Sequence, residues 1–126
     1  MSSNIIKPFG KGASSGWEYD GKILKPYGRS SSDGWEFDGR IIKPYGKSSS
    51  NGYEWNGKEF SPYGRGRSSG WEFDGKVLKP YGRSSSEGWE LKGRTWVPYG
   101  KSSSQGWETE GTIPIPVAAL VILGLS

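Results

Sequence analysis

Apolar and polar positions recur along the chain with a period of 18 residues. An aromatic residue followed by glutamate appears six times at this spacing, as in Trp17-Glu18 and Trp35-Glu36, and no unit contains an insertion or a deletion. A disordered tandem array tolerates changes of length, whereas stacked units do not, because each unit contacts its neighbour through the same surface. The pattern therefore predicts an ordered array of tandem repeats.

Each unit also predicts a β-hairpin. In "WEYDGKIL" apolar and polar residues alternate on both sides of an Asp-Gly pair, which is typical of a two-residue type I′ turn. Such a turn places Tyr19 opposite Lys22. It places Trp17 opposite Leu24 and on the same face as Tyr19. Pro26 then ends the second strand, since proline has no N–H to donate to a neighbouring strand. The next segment, "YGRSSSDG", is rich in turn residues and predicts a loop.

Proline extends the register towards both ends of the chain, from Pro8 to Pro116. "IIKPFG" near the start is therefore half a unit, and the apolar C-terminal segment begins in phase as a seventh copy. We expect six repeats with an N-terminal half-repeat in residues 1–116, followed by an apolar assembly or capping segment in residues 117–126. An open array of this kind has two ends, and neither carries the polar cap that keeps natural arrays soluble.

A parallel β-solenoid with one 18-residue coil per repeat is the alternative, because 18 residues also divide into three segments of six. In a solenoid, identical residues would stack along the axis at ~4.7 Å. The third segment, "RSSSDG", lacks the aliphatic residue that a coil corner usually buries. We therefore predict an all-β fold of tandem 18-residue repeats in a hairpin array or meander, with the parallel solenoid as the second choice.

Aromatic residues must supply most of the buried surface, because only 32% of the residues are hydrophobic while 14% are aromatic. The predicted repeat-stacking residues are Trp17, Trp35, Tyr53, Trp71, Trp89, Trp107, Tyr27, Tyr45, Tyr63, Tyr81 and Tyr99. The glutamate beside the first aromatic residue of each unit is predicted to form a charge ladder with the neighbouring columns of Lys and Arg. These glutamates are Glu18, Glu36, Glu54, Glu72, Glu90 and Glu108.

The sequence favours a protein without catalytic or metal chemistry. It contains no cysteine and no histidine, which removes thiolate ligands, imidazole ligands and the commonest general base. The carboxylates recur identically from unit to unit, so no pair is singled out for acid–base work, and Asp-Gly supplies too few ligands for calcium. We therefore predict no catalytic residues, no metal site and no cofactor. The net charge of +4 comes from interspersed acids and bases, which is typical of a solvated surface.

The units resemble those of short bacterial tandem-repeat proteins that read Trp-Glu-aromatic-x-Gly-Lys-x-x-Lys-Pro and end in an apolar tail, and the resemblance covers nearly the whole chain. It implies a repeat fold but no particular activity. In style, the Trp, Gly and Tyr hairpins are also similar to the choline- and cell-wall-binding repeats of Gram-positive surface proteins. Those repeats carry a Trp-Tyr-Tyr cluster in slightly longer units, so their ligand residues do not transfer to this chain.

These features give three functional hypotheses. The first is a self-assembling structural subunit of a bacterial filament or scaffold, in which the apolar C-terminal segment makes end-to-end contacts with another copy. Its predicted assembly residues are Ile113, Ile115, Val117, Leu120, Val121, Ile122, Leu123 and Leu125. The second is glycan or cell-wall binding through exposed aromatic residues. The third is single-stranded nucleic-acid binding, which the recurring glutamate disfavours.

The ends of the chain show no conventional targeting signal. The N-terminus has no basic head followed by an apolar core. The apolar C-terminal stretch, at roughly 13 residues, is shorter than the ~20 residues of a spanning helix. We expect no membrane-spanning segment, and either a cytoplasmic protein or one exported by a non-classical route.

Overall fold

The computed structural model describes residues 4–125, which form twelve short β-strands and one α-helix. The strands are β1 (Asn4–Pro8), β2 (Trp17–Tyr19), β3 (Ile23–Pro26), β4 (Trp35–Phe37), β5 (Ile41–Pro44), β6 (Tyr53–Trp55), β7 (Glu59–Pro62), β8 (Trp71–Phe73), β9 (Val77–Pro80), β10 (Trp89–Lys92), β11 (Thr95–Pro98) and β12 (Trp107–Glu110). Helix α1 spans Ile115–Ile122. The loop after each odd-numbered strand contains a 3₁₀ turn: Ala13–Ser15, Ser31–Asp33, Ser49–Asn51, Arg67–Ser69, Ser85–Glu87 and Ser103–Gln105.

The strands form one closed antiparallel barrel. Each strand pairs with its neighbours in the sequence, and β1 also pairs with β12. The predicted all-β meander of hairpin repeats is therefore confirmed. The parallel solenoid is not the observed fold, because every strand pair is antiparallel.

The N-terminal half-repeat completes the sixth unit. In the first hairpin Trp17 lies opposite Pro26, and at the seam Trp107 lies opposite Pro8 in the same register. The expectation of an open array with two uncapped ends is wrong, since the two halves of a divided hairpin pair with each other. Closure removes the free edges that otherwise template pairing with another chain.

The predicted turn geometry needs correction. Tyr19 lies opposite Leu24 rather than Lys22, so the hairpin register is two residues longer than a type I′ turn allows. Among residues 4–125 only glycines have positive φ, whereas type I′ requires it at both central residues. Instead, Asp20 Oδ1 accepts hydrogen bonds from the Lys22 and Ile23 N–H groups, at 2.9 and 2.8 Å. A shift of two residues keeps the predicted faces, because side chains alternate with period two.

The inner wall of the barrel is lined by one large, fully buried side chain from each unit. These residues are Ile6, Leu24, Ile42, Phe60, Leu78 and Trp96. About eight strands make a barrel whose interior side chains just fill it, so a twelve-stranded barrel needs further filling. Helix α1 supplies it: Val117 to Ile122 are 0–6% exposed and belong to the same core as the inner ring.

The apolar C-terminal segment is a helix and not a seventh copy of the hairpin strand. Once β1 has paired with β12, no edge is left on which another strand could pair. A helix satisfies its own backbone hydrogen bonds, and one that is apolar on every face suits burial on all sides. The fixed φ of Pro116 is compatible with its place in the first turn. Within residues 4–125, no helix has the length and hydropathy needed to cross a membrane.

Candidate functional site

The glutamate beside each aromatic residue fastens a loop to its hairpin. Glu18 Oε2 accepts a 2.9 Å hydrogen bond from the Gly28 N–H and lies 3.3 Å from Lys25 Nζ. Lys25 Nζ also donates to the Arg29 carbonyl oxygen at 2.6 Å. Carboxylate and ammonium together therefore hold the segment from Tyr27 to Arg29 against the barrel wall.

This arrangement recurs around the barrel. The carboxylates of Glu36, Glu54, Glu72 and Glu108 accept from the N–H groups of Gly46, Gly64, Gly82 and Gly10. The Gly46 N–H, more than the nearby lysine, lowers the pKa of Glu36. The Gly82 N–H does the same for the pKa of Glu72, followed by the Lys79 ammonium. Five of the six predicted charge-ladder glutamates thus accept a hydrogen bond from a glycine N–H of their own hairpin. The sixth, Glu90, is 9% exposed and lies 3.8 Å from Lys76 and from Lys92.

The first aromatic residue of each unit faces the inside of the barrel. Trp17 and its equivalents are half-buried and pack against the core. On one side of the barrel they contact inner-ring residues: the ring centroids of Tyr53 and Phe60 are 5.1 Å apart, and those of Phe60 and Trp71 are 6.0 Å apart. These side chains therefore contribute to the core, which leaves only part of each ring accessible.

The aromatic residue that directly follows the strand-ending proline of each unit faces solvent instead. Phe9, Tyr27, Tyr45, Tyr63 and Tyr99 are 40–45% exposed. The sixth, Tyr81, is half-buried and lies 5.4 Å from the Arg67 guanidinium. All six follow odd-numbered strands, which run in the same direction, so they gather at one end of the barrel. Sequence reasoning assigned the tyrosines to repeat stacking. Their place in a loop directly after a strand-ending proline was the signal for exposure.

A cation stands two residues after each of these aromatic residues. The cations are Lys11, Arg29, Lys47, Arg65, Arg83 and Lys101. Within residues 4–125, only Arg83 has a carboxylate within 4 Å, that of Glu87 at 3.6 Å. We call the six aromatic residues and six cations together the aromatic rim. It offers an aromatic ring in each of six equivalent loops and, in five of them, a cation with no carboxylate within 4 Å in the described chain.

Two cavities lie on the outer wall, one repeat apart. One of about 280 Å³ is lined by Lys22, Glu36, Phe37, Asp38, Ile41 and Lys43. The other, of about 270 Å³, is lined by Arg40, Glu54, Trp55, Asn56, Glu59, Ser61, Arg65 and Arg67. The first six residues of the second set are the equivalents of the first set, 18 positions later. At the positions of Ile41 and Lys43 in the first cavity, the second cavity is lined by Glu59 and Ser61.

The predicted assembly residues lie inside the barrel or against its core. Val117, Leu120, Val121 and Ile122 are buried, and the partly buried Ile113, Ile115, Leu123 and Leu125 pack on the same core. Across residues 4–125, no three side chains of the kinds that ligate metal come together. No protein-family model matches the chain, and no curated protein or solved structure is significantly similar to it.

Proposed function

We propose that this protein is a non-enzymatic binding module that holds an acidic glycan along the aromatic rim. The observation that carries the proposal is the ring of exposed aromatic residues, each followed by a cation that in five of six units has no carboxylate partner in the described chain. An aromatic face stacks on the apolar face of a sugar ring, while Lys or Arg binds its carboxylate or sulfate.

The ring arrangement suits a polymer better than a single small ligand. Six equivalent loops present the same chemistry at regular intervals around the barrel. Once one unit of a polymer is bound, the next binds as an intramolecular event, so weak individual contacts add to a large total affinity. Because the loops belong to a closed barrel, their spacing is fixed before the ligand arrives, and less conformational entropy is lost on binding.

The loop chemistry favours a glycan over a single-stranded nucleic acid. Each of the six loops carries two or three serines close to the exposed aromatic residue, as in Ser30, Ser31 and Ser32 after Tyr27. These hydroxyl groups donate and accept hydrogen bonds, which matches the many hydroxyls of a sugar polymer. The recurring glutamate no longer argues against an anionic ligand, because its carboxylate is engaged with Gly N–H groups and lysine.

The filament hypothesis remains a prediction, but the structure changes the physical argument for it. It depended on free strand edges and on an accessible apolar C-terminal segment. In the structure, β1 and β12 pair with each other and Val117 to Ile122 are buried inside the barrel. Any contact between copies would therefore use another surface.

Binding to defined polymers tests the proposal. We expect polygalacturonate to bind in titration calorimetry, with an affinity that falls as salt is raised, and dextran of the same length to bind far less. Replacing the neighbouring Tyr27 and Tyr45 by alanine is expected to weaken binding about tenfold or more, the equivalent of about 1.4 kcal/mol. The matched control replaces Lys22 and Lys58, which lie at the opposite end of the barrel, and leaves affinity unchanged.

Three outcomes would overturn the glycan proposal. They are failure of every acidic glycan to bind, unchanged affinity in the Tyr27→Ala/Tyr45→Ala protein, and binding of an oligothymidylate without binding of polygalacturonate. The last result would establish the nucleic-acid hypothesis in its place.

A further inference from the structure

The unit that begins at Gly52 breaks the pattern of its neighbours at one structural position. In four units a lysine of the odd-numbered strand lies 3.0–3.6 Å from the recurring glutamate and donates to a loop carbonyl oxygen at 2.6–2.7 Å. These lysines are Lys7, Lys25, Lys43 and Lys79. In the divergent unit the equivalent residue is Ser61.

Loss of the lysine leaves its partners without an ammonium group. Glu54 Oε2 accepts from the Gly64 N–H at 3.1 Å, and its nearest cation is Arg40, 3.9 Å from Oε1. The Arg65 carbonyl oxygen occupies the place that elsewhere accepts from lysine. Ser61 is only 7% exposed. A carboxylate, a carbonyl and a hydroxyl therefore surround the space that a lysine side chain fills in other units.

The sixth position in the series also lacks the lysine. Val97 takes the lysine position there, is fully buried and fills the space with an apolar side chain. The glutamate of that unit, Glu90, pairs instead with Lys76 and Lys92, each at 3.8 Å. The cavity of about 270 Å³ beside Ser61 is lined by Arg65 and Arg67 of the loop, whereas the equivalent cavity of about 280 Å³ beside Lys43 is not lined by loop residues.

We propose that this cavity binds a small zwitterion, with a primary ammonium group in the position of the missing lysine ammonium. Two acceptors of this ammonium match those of Lys25: the Glu54 carboxylate and the Arg65 carbonyl oxygen. The Ser61 hydroxyl is a third acceptor, which the unit of Lys25 does not have. A free ω-amino acid or a similar aminocarboxylate is the ligand class. The volume lies just below the ~300 Å³ at which drug-sized sites begin, so the ligand is small.

The anionic end of the ligand is recognised by arginine. Arg65 lines the cavity and has no carboxylate within 4 Å in the described chain, while Arg67 is already paired with Glu59 at 3.4 Å. An ammonium beside Glu54 also displaces the long contact of Arg40, whose guanidinium then faces the ligand carboxylate. Guanidinium groups bind carboxylates through two parallel hydrogen bonds, which favours a carboxylate over a neutral end group. The site shares Arg65 with the aromatic rim but uses none of its exposed aromatic residues, and it does not depend on polymer binding.

Amide chemical shifts of the full chain test the proposal with three matched probes. The first, 5-aminopentanoate, carries both charges. The second, pentylamine, carries only the ammonium, and the third, pentanoate, carries only the carboxylate. We expect saturable shifts at Glu54, Ser61 and Gly64 with 5-aminopentanoate, at least tenfold weaker binding of pentylamine, and no binding of pentanoate. Absence of saturable shifts with 5-aminopentanoate, equal binding of pentylamine, or binding of pentanoate equal to that of the zwitterion would each overturn it.

Two substitutions separate this cavity from the rest of the surface. Ser61→Lys restores the residue of four other units, so it is expected to keep the fold, to place a tethered ammonium beside Glu54 and to abolish binding. Lys43→Ser removes the ammonium beside Glu36 and is expected to create a second set of saturable shifts at Glu36 and Gly46. Unchanged affinity in the Ser61→Lys protein contradicts the assigned site. If Lys43→Ser gives no second site, absence of the lysine ammonium is not what creates the binding site.

Discussion

Glu108 and Gly10 are joined by a 2.7 Å hydrogen bond across 98 positions of the chain, and this bond lies at the seam of the barrel. It reproduces the bond of 3.0 Å that Glu36 makes with Gly46 inside a continuous unit. The seam is thus built from the same contacts as any other hairpin, although its two strands come from opposite ends of the chain. The consequences of this equivalence can be measured.

Removing the seam carboxylate is expected to cost about as much stability as removing one inside a unit. Glu108→Ala and Glu36→Ala each remove the carboxylate that accepts from an exposed glycine N–H and that lies beside a lysine, for a loss of about 0.5–1.5 kcal/mol. Urea unfolding followed by circular dichroism measures both. A negligible loss for Glu108→Ala beside a clear loss for Glu36→Ala would show that the barrel is open in solution.

Helix α1 is expected to stabilise the barrel from within. Leu120 is fully buried in the core, so Leu120→Ala should reduce the free energy of unfolding by about 2–5 kcal/mol. Leu125→Ala, at a partly buried position beyond the helix, is the control and should cost less. Equal losses would contradict the position of the helix in the barrel interior.

Removal of the C-terminal segment distinguishes a buried helix from an assembly segment. Truncation after Thr112 exposes the apolar inner wall, and we expect sedimentation to show a monomeric full-length chain and an aggregated truncated chain. The filament hypothesis expects the reverse, with fibres of the full-length chain that vanish on truncation. Comparing the full-length and the truncated chain therefore distinguishes the two hypotheses.

The glycine that precedes the first aromatic residue of each unit is expected to be irreplaceable. A Cβ at Gly34 would collide with the carbonyl oxygen of Leu24, so Gly34→Ala should destabilise the protein by about 1–3 kcal/mol. Gly12 has an extended φ of −79° and nothing near its Cβ position, so Gly12→Ala should leave stability unchanged or raise it slightly. Thermal unfolding of the two variants compares them, and similar losses would refute the close approach at Gly34.

Stability is expected to fall in acid. Hydrogen bonds from the Ile41 and Arg40 N–H groups lower the pKa of Asp38 below its usual 3.8. Hydrogen bonds from the Val77 and Lys76 N–H groups lower the pKa of Asp74 in the same way. A carboxyl whose folded-state pKa is depressed contributes stability above its unfolded pKa and loses it as pH falls through the folded value. Urea midpoints should therefore drop below about pH 4.

Asn56 provides the natural control for this pH dependence. Its Oδ1 accepts from the Lys58 and Glu59 N–H groups at 2.9 and 2.7 Å without a titrating group. Asp74→Asn should therefore fold with the same turn and lose less stability between pH 7 and pH 3 than the parent protein. An unchanged acid loss in that variant would remove Asp74 from the explanation.

The sequence by itself determined the repeat, the hairpin and the faces of its strands. The 18-residue period defined the units, and alternation with period two placed Trp17 and Leu24 on one face in both the predicted and the observed register, because the two differ by two residues. These features depend on interactions between residues close in the sequence, and the same residues recur in every unit.

Only the tertiary structure decided that the array closes. Whether β1 pairs with β12 depends on the curvature summed over all units, which no single unit displays. Closure then settled the rest: with no edge left, the apolar C-terminal segment became a helix in a space too wide for the inner side chains. It also gathered Tyr27 and its equivalents at one end, since the strands before them run in one direction around a ring.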